Sequence, residues 1–244
     1  MTPLAAIVAM ESLSLAGLAR GSALLVAWQV SRGHRGARVA APDYCMIFLV
    51  TIRGKVCVMK VHHSQGPKQY WDSEIRETNI FVCESTAYRR LTQAGVCARG
   101  ITPQFYGTIE NIDPTRCLPH LHAFVKDEHP PTAILLEYIP NMETLTWSNY
   151  SGKRMENFVD GLNAIHDALV SHDDVHPRNM MIFKGHPERA IWLDFDKAQT
   201  YTGELTEIQK GWVAFETLLI AEIAEFMKHD FDKGEYDKTR QYYR

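Results

Sequence analysis

Residues 170–182 read VSHDDVHPRNMMI, and the fold assignment turns on what this stretch is for. Two histidines, two aspartates and an asparagine gather around Pro177, and an apolar run, MMIF at 180–183, follows directly. Proline within the segment opposes helix, so Asp174 and Asn179 fall on a loop that feeds a short strand. After a turn at KGHPER, residues 184–189, the run AIWLDF at 190–195 reads as a second short strand. Two strands around a turn return the chain to its start, which places Asp194 near Asn179. A carboxylate, an amide oxygen and a second carboxylate converging on one point suit Mg2+ carrying phosphates. A carboxylate left off the metal can accept a proton from an attacking hydroxyl.

Working outward, KRMENFVDGLNAIHDALV at 153–170 carries Met155, Phe158, Val159, Leu162, Ile165 and Leu169 on one stripe, which predicts a helix. Downstream, residues 207–229 (EIQKGWVAFETLLIAEIAEFMKH) predict a long, largely buried helix, with Trp212 and Phe215 in the core. The charged and aromatic stretch from 231 to 244 reads as a solvated extension.

Upstream, YCMIFLVTI and VCVMKVHH flank a short Arg-Gly-Lys turn at 53–55, a hairpin signature. Residues 79–95 have helical spacing, with Asn79 as cap and Gly95 as stop. A strand within 101–112, a Pro- and His-rich insertion at 113–131 and the apolar strand TAILLEYI at 132–139 follow. The order of elements is α+β, β-rich first and helical second. Lys60 is the sole charge among Val56, Val58 and Val61 and therefore requires an anionic partner. Glu84, on the next helix among apolar residues, is the candidate.

Composition narrows the function. The net charge of −3 provides no basic field for nucleic acid or anionic membrane. The five cysteines are widely spaced with no C-x-x-C, which fits a reduced, intracellular, cytoplasmic setting and no zinc ribbon. His62-His63 and the PHLH at 119–122 lack an obvious third ligand, so no zinc is expected. Residues 1–40 read as an N-terminal extension; Glu11 and Arg20 interrupt its apolar run, and no membrane span is expected.

Together these residues resemble the protein-kinase-like superfamily over about residues 44–228. The run Val58-Met59-Lys60 resembles the end of the third-strand V-A-I-K motif, which implies that Lys60 contacts the α- and β-phosphates. Glu84 resembles the helix glutamate that pairs with that lysine. LLEYIPN at 135–141 resembles the hinge, implying adenine recognition by the backbone of Glu137 and Ile139. HDDVHPRN resembles H-R-D-L-x-x-x-N, making Asp174 the base and Asn179 a metal ligand, and DFD at 194–196 resembles D-F-G, making Asp194 the principal Mg2+ ligand. His176 stands where many kinases have lysine, and Glu216 is a candidate acid beneath the loop. Further runs, among them CESTAYRRL and EYIPNM, are similar to a group of small, divergent kinase-like proteins found in fungi.

The resemblance implies a two-lobed kinase-like fold with a reduced C-terminal lobe. Its parts are an N-lobe and hinge at 44–140, a helical lobe at 141–230 and a tail at 231–244. It also implies ATP and Mg2+ as cofactors and γ-phosphoryl transfer to a hydroxyl acceptor, protein or small molecule. The sequence departs from the family in three places. No glycine-rich loop precedes Lys60, Asp196 replaces the glycine of D-F-G, and A-P-E is missing. Two other readings therefore stay open: a small-molecule phosphotransferase resembling aminoglycoside or choline kinases, and a pseudokinase acting as a binding module.

Overall fold

The computed structural model describes residues 45–183 and 186–243, with the backbone of four short strands before them. Those strands are β1 (Val8–Ala9), β2 (Leu13–Leu15), β3 (Leu24–Val26) and β4 (Gln29–Ser31). The rest of the N-terminal extension lies outside the described residues. The chain divides into two compact units, one of residues 1–72 and 105–138, the other of residues 73–104 and 139–244.

The first unit is built on β5 (Cys45–Ile52) and β6 (Lys55–His62), the expected hairpin. Arg53 and Gly54 both take positive φ, 51° and 75°, the backbone hand that matches strand twist in a two-residue turn. Next to β6 lies β8 (Thr132–Glu137), and beyond it β7 (Phe105–Ile109), giving the antiparallel order β1-β4-β5-β6-β8-β7. Lys60 is opposite Ile47 on one side and Ile134 on the other. One sheet face carries Phe48, Val50, Met59 and Val61 into a core that Ile112, Leu121 and Phe124 complete. The Pro- and His-rich insertion thus supplies buried core, through 3-10 turns at Pro114–Cys117 and His122–Phe124.

In the second unit, α1 (Ile80–Gln93) begins where Asn79 accepts the amides of Phe81 and Val82, and the chain leaves it through Gly95 at φ 75°. A small antiparallel sheet, ordered β12-β11-β9, joins β9 (Met142–Thr144), β11 (Met180–Phe183) and β12 (His186–Trp192). Against it lies α2 (Gly152–Asp167), capped by the Ser151 hydroxyl. Trp192 is fully buried edge-on to Phe158 and donates its indole N–H to the Phe158 carbonyl at 3.1 Å. Two further short strands, β10 (Val170–Ser171) and β13 (Gln199–Thr200), pair with each other.

The last helix, α3 (Glu207–Lys233), begins in a capping box between Thr206 and Gln209 and ends at Gly234 in the left-handed region. One expectation fails here. Phe215 is 64% exposed and Trp212 half-buried, because the buried stripe is Glu216, Ile220, Ile223, Met227 and Asp230, and only that face packs. The stretch after α3 is mostly exposed, as expected, yet it is ordered. Asp230, fully buried, accepts the amides of Asp237, Lys238 and Thr239 and the Thr239 hydroxyl, folding residues Lys238–Tyr243 into a 3-10 helix. Tyr243 then donates to the Leu145 carbonyl at 2.7 Å. Among the described residues, no helix is long and apolar enough to cross a membrane.

Candidate functional site

The loop between β10 and β11 is held from beneath by one side chain. Glu216 of α3, buried, accepts the His172 amide through Oε2 at 3.1 Å and the Asp173 amide through Oε1. His166 Nε2 of α2 lies 2.7 Å from the same Oε2. His172 is fully buried, with Nε2 3.0 Å from the Leu193 carbonyl and its ring against Phe195 and Trp192. It therefore joins the start of the loop to the residue before Asp194.

This bracing fixes the backbone. Asp173 has φ 56° and Asp194 φ 66°, in the left-handed region that non-glycine residues occupy at a cost and that functional sites often hold. The Asp173 carboxylate is ion-paired with Arg76, whose guanidinium lies 5.0 Å from the Trp212 ring. Burial raises the Asp173 carboxyl above its ordinary value despite Arg76, with Glu216 adding to the rise.

Met180 pairs with Trp192 across β11 and β12, and the Leu193 amide donates to the Asn179 carbonyl at 3.0 Å. The strand end carrying Asp194 is thus fastened to the loop end carrying Asn179. Asn179 is buried, and its side-chain N–H2 donates to the Asp174 carbonyl oxygen and to Asp174 Oδ2, both at 3.0 Å. An amide whose nitrogen is committed this way has its oxygen left to offer a cation. Asp194 and Asp196 are half-buried, and between them Phe195 is fully buried against Tyr88 of α1 and His172. Gln199 binds the chain before α1, accepting the Glu77 amide at 2.8 Å and donating to the Glu77 carbonyl at 3.0 Å.

Asp174 has further company. Arg178 donates through one nitrogen to both carboxylate oxygens, at 2.6 and 2.8 Å, and Lys197 Nζ lies 3.4 Å from Oδ2. Burial works to raise the Asp174 carboxyl, but Arg178, Lys197 and Asn179 outweigh it and hold it below the ordinary range. Asp174 is therefore ionised at neutral pH. His176 Nδ1 accepts the Arg178 amide at 3.2 Å, and the rings of Tyr242 and Tyr243 stand edge-on to its imidazole at 6.1 and 6.3 Å. Burial, then Arg178 and Lys197, push the His176 imidazole down to about 4, so it is neutral where a lysine would be charged.

The remaining sequence candidates fall as follows. Lys60 is buried on β6 in the first unit, and Glu84 is buried on α1 in the second. Glu137 ends β8 opposite Cys57, and Ile139 is buried with Met181 and Ile191. The boundary between the two units falls at Tyr138–Ile139, inside LLEYIPN. Compared with models of known protein families and with curated proteins, the chain matches none.

The sequence did not single out Arg178 or Lys197. Arg178 lies four residues after Asp174, a spacing that pairs charges on a helix but carries no such meaning across a Pro-containing loop. A separate carboxylate–histidine group, His229, Asp230 and Asp237, has spacing for a cation. Its buried member already accepts three backbone amides and a hydroxyl, so it is a cap for the C-terminal segment.

Proposed function

We propose that this protein is an ATP- and Mg2+-dependent phosphotransferase of the protein-kinase-like type, moving the γ-phosphoryl group to a hydroxyl. The observation that carries the proposal is the Asp174–Asn179 pair. An ionised carboxylate and an amide share a 3.0 Å hydrogen bond, and Leu193 fastens them to the strand end of Asp194. Phosphoryl transfer requires mainly positioning and neutralisation of charge. Here Asp174 accepts the hydroxyl proton, while Asn179 and Asp194 offer oxygens of the kind Mg2+ takes. When bound, the metal neutralises charge on the phosphates.

Lys60 as phosphate ligand, Glu84 as its orienting partner, and the Glu137 and Ile139 backbone as the adenine edge are assigned on the sequence resemblance. One observation favours a second reading, a binding module without turnover: two cations already occupy Asp174.

Release of the γ-phosphoryl group from Mg-ATP, followed with and without candidate hydroxyl acceptors, separates the two. Asp174→Asn is expected to slow turnover on the order of 10²–10⁴-fold. Wild-type turnover in that variant removes Asp174 as base, and no turnover in the wild type favours the binding module.

A further inference from the structure

An ionised carboxylate has about four lone-pair sites for donors, two on each oxygen, and each oxygen of Asp174 already carries a cation. Arg178 takes Oδ1 at 2.6 Å and Oδ2 at 2.8 Å, Asn179 takes Oδ2 at 3.0 Å, and Lys197 stands 3.4 Å from Oδ2. A substrate hydroxyl therefore meets a cation at either oxygen, and the carboxylate regains its full basicity only when a donor leaves. Asn179 cannot be that donor, because it is buried and also bonded to the Asp174 carbonyl. The two cations can. The Arg178 and Lys197 side chains are 53% and 54% exposed, against 14% for Asp174, and both reach it from solvent.

We propose that Arg178 and Lys197 form a latch on Asp174 that the terminal phosphoryl group of a nucleoside triphosphate opens. The proposal rests on the nucleotide reading above. An incoming phosphoryl group presents three oxygens and more negative charge than one carboxylate, and guanidinium binds such oxygens strongly. As the cations transfer to it, they neutralise charge on the group to be moved and uncover Asp174 for the acceptor hydroxyl. One exchange thus couples arrival of the triphosphate to exposure of the base. A nucleoside diphosphate lacks the γ-phosphoryl group and leaves the latch closed.

The test is calorimetric titration of the full chain with Mg-ADP and with the non-hydrolysable triphosphate analogue Mg-AMP-PNP. Wild type is compared with Arg178→Ala, Lys197→Ala and the double variant. Both side chains are more than half exposed, so the substitutions leave the core intact, and a melting curve for each variant checks this. Wild type is expected to prefer the triphosphate by on the order of ten- to a hundredfold. Each single variant narrows the gap, the double variant abolishes it, and the affinity for ADP stays within about twofold. Arg178→Lys keeps the charge and is expected to retain part of the preference. A gap that persists in the double variant, or no gap in the wild type, overturns the latch. Failure of both nucleotides to bind overturns the nucleotide reading itself, and the latch with it.

Discussion

Glu216→Ala is expected to be among the most damaging single substitutions in the second unit. The side chain is 4% exposed and serves three groups: the amides of His172 and Asp173 and the His166 imidazole. The two amides belong to a backbone held by its neighbours, with Asp173 at φ 56°, and cannot turn to another acceptor. A buried donor left without a partner costs roughly 1–3 kcal/mol, so two of them with the lost imidazole contact cost about 4 kcal/mol. Against a total stability of roughly 5–15 kcal/mol, the loss is large. For a chain of this size it lowers the melting temperature by roughly 8–16 °C. Urea unfolding followed by tryptophan fluorescence measures it as a fall in midpoint at unchanged slope. Glu216→Gln keeps one acceptor oxygen and is expected to lose about half as much. Amide exchange at His172 and Asp173 rises in both variants. A Glu216→Ala protein within 1 kcal/mol of wild type would refute the claim that this carboxylate holds the loop.

Asp230→Ala releases Lys238–Tyr243, and trypsin is expected to cut after Lys238 and Arg240 at least tenfold faster than in wild type, read by mass spectrometry. Burial works to raise the Asp230 carboxyl, but the Thr239 hydroxyl and the amides of Thr239 and Lys238 hold it well below the ordinary range. Its contribution is therefore complete above the unfolded value near 4 and fades as pH falls toward the depressed folded value. Protease resistance of the C-terminal segment should weaken in that acid range in wild type and be lost at all pH values in Asp230→Ala. Gly161→Ala puts a methyl group 3.1 Å from Ile101 and 3.2 Å from Trp192, tighter than ordinary contact. The expected cost is about 1–3 kcal/mol, seen in thermal unfolding. An unshifted midpoint would mean that α2 stands off from Trp192.

The local signals were legible where backbone chemistry is local. The β5–β6 hairpin was marked by its Arg-Gly turn and apolar runs, and α1 by Asn79 and Gly95. The proximity of Asn179 and Asp194 also followed from sequence, since a short hairpin allows one return path. Non-local choices were hidden. In α3, apolar residues occur on nearly every side, so periodicity could not select the packed face. That face includes Glu216 and Asp230, two acids whose burial is stabilised by backbone amides far along the chain. The C-terminal segment reads as solvated by composition and is ordered by a single aspartate. The insertion at 113–131 is marked in the sequence only by its prolines and histidines, and its Leu121 and Phe124 are buried in the sheet core. Arg178 and Lys197 carry no sequence mark, because only the folded loop brings them to Asp174.

Thermal unfolding with ATP, with and without Mg2+, tests the central claim most directly when run beside Asp194→Asn. Nucleotide at a hundred times its dissociation constant stabilises the native state by about 2.7 kcal/mol, which corresponds to a rise of roughly 5–10 °C here. The account predicts that rise in wild type, its dependence on Mg2+ and its loss in Asp194→Asn. An unchanged midpoint at millimolar Mg-ATP, or an equal rise in the variant, would contradict it.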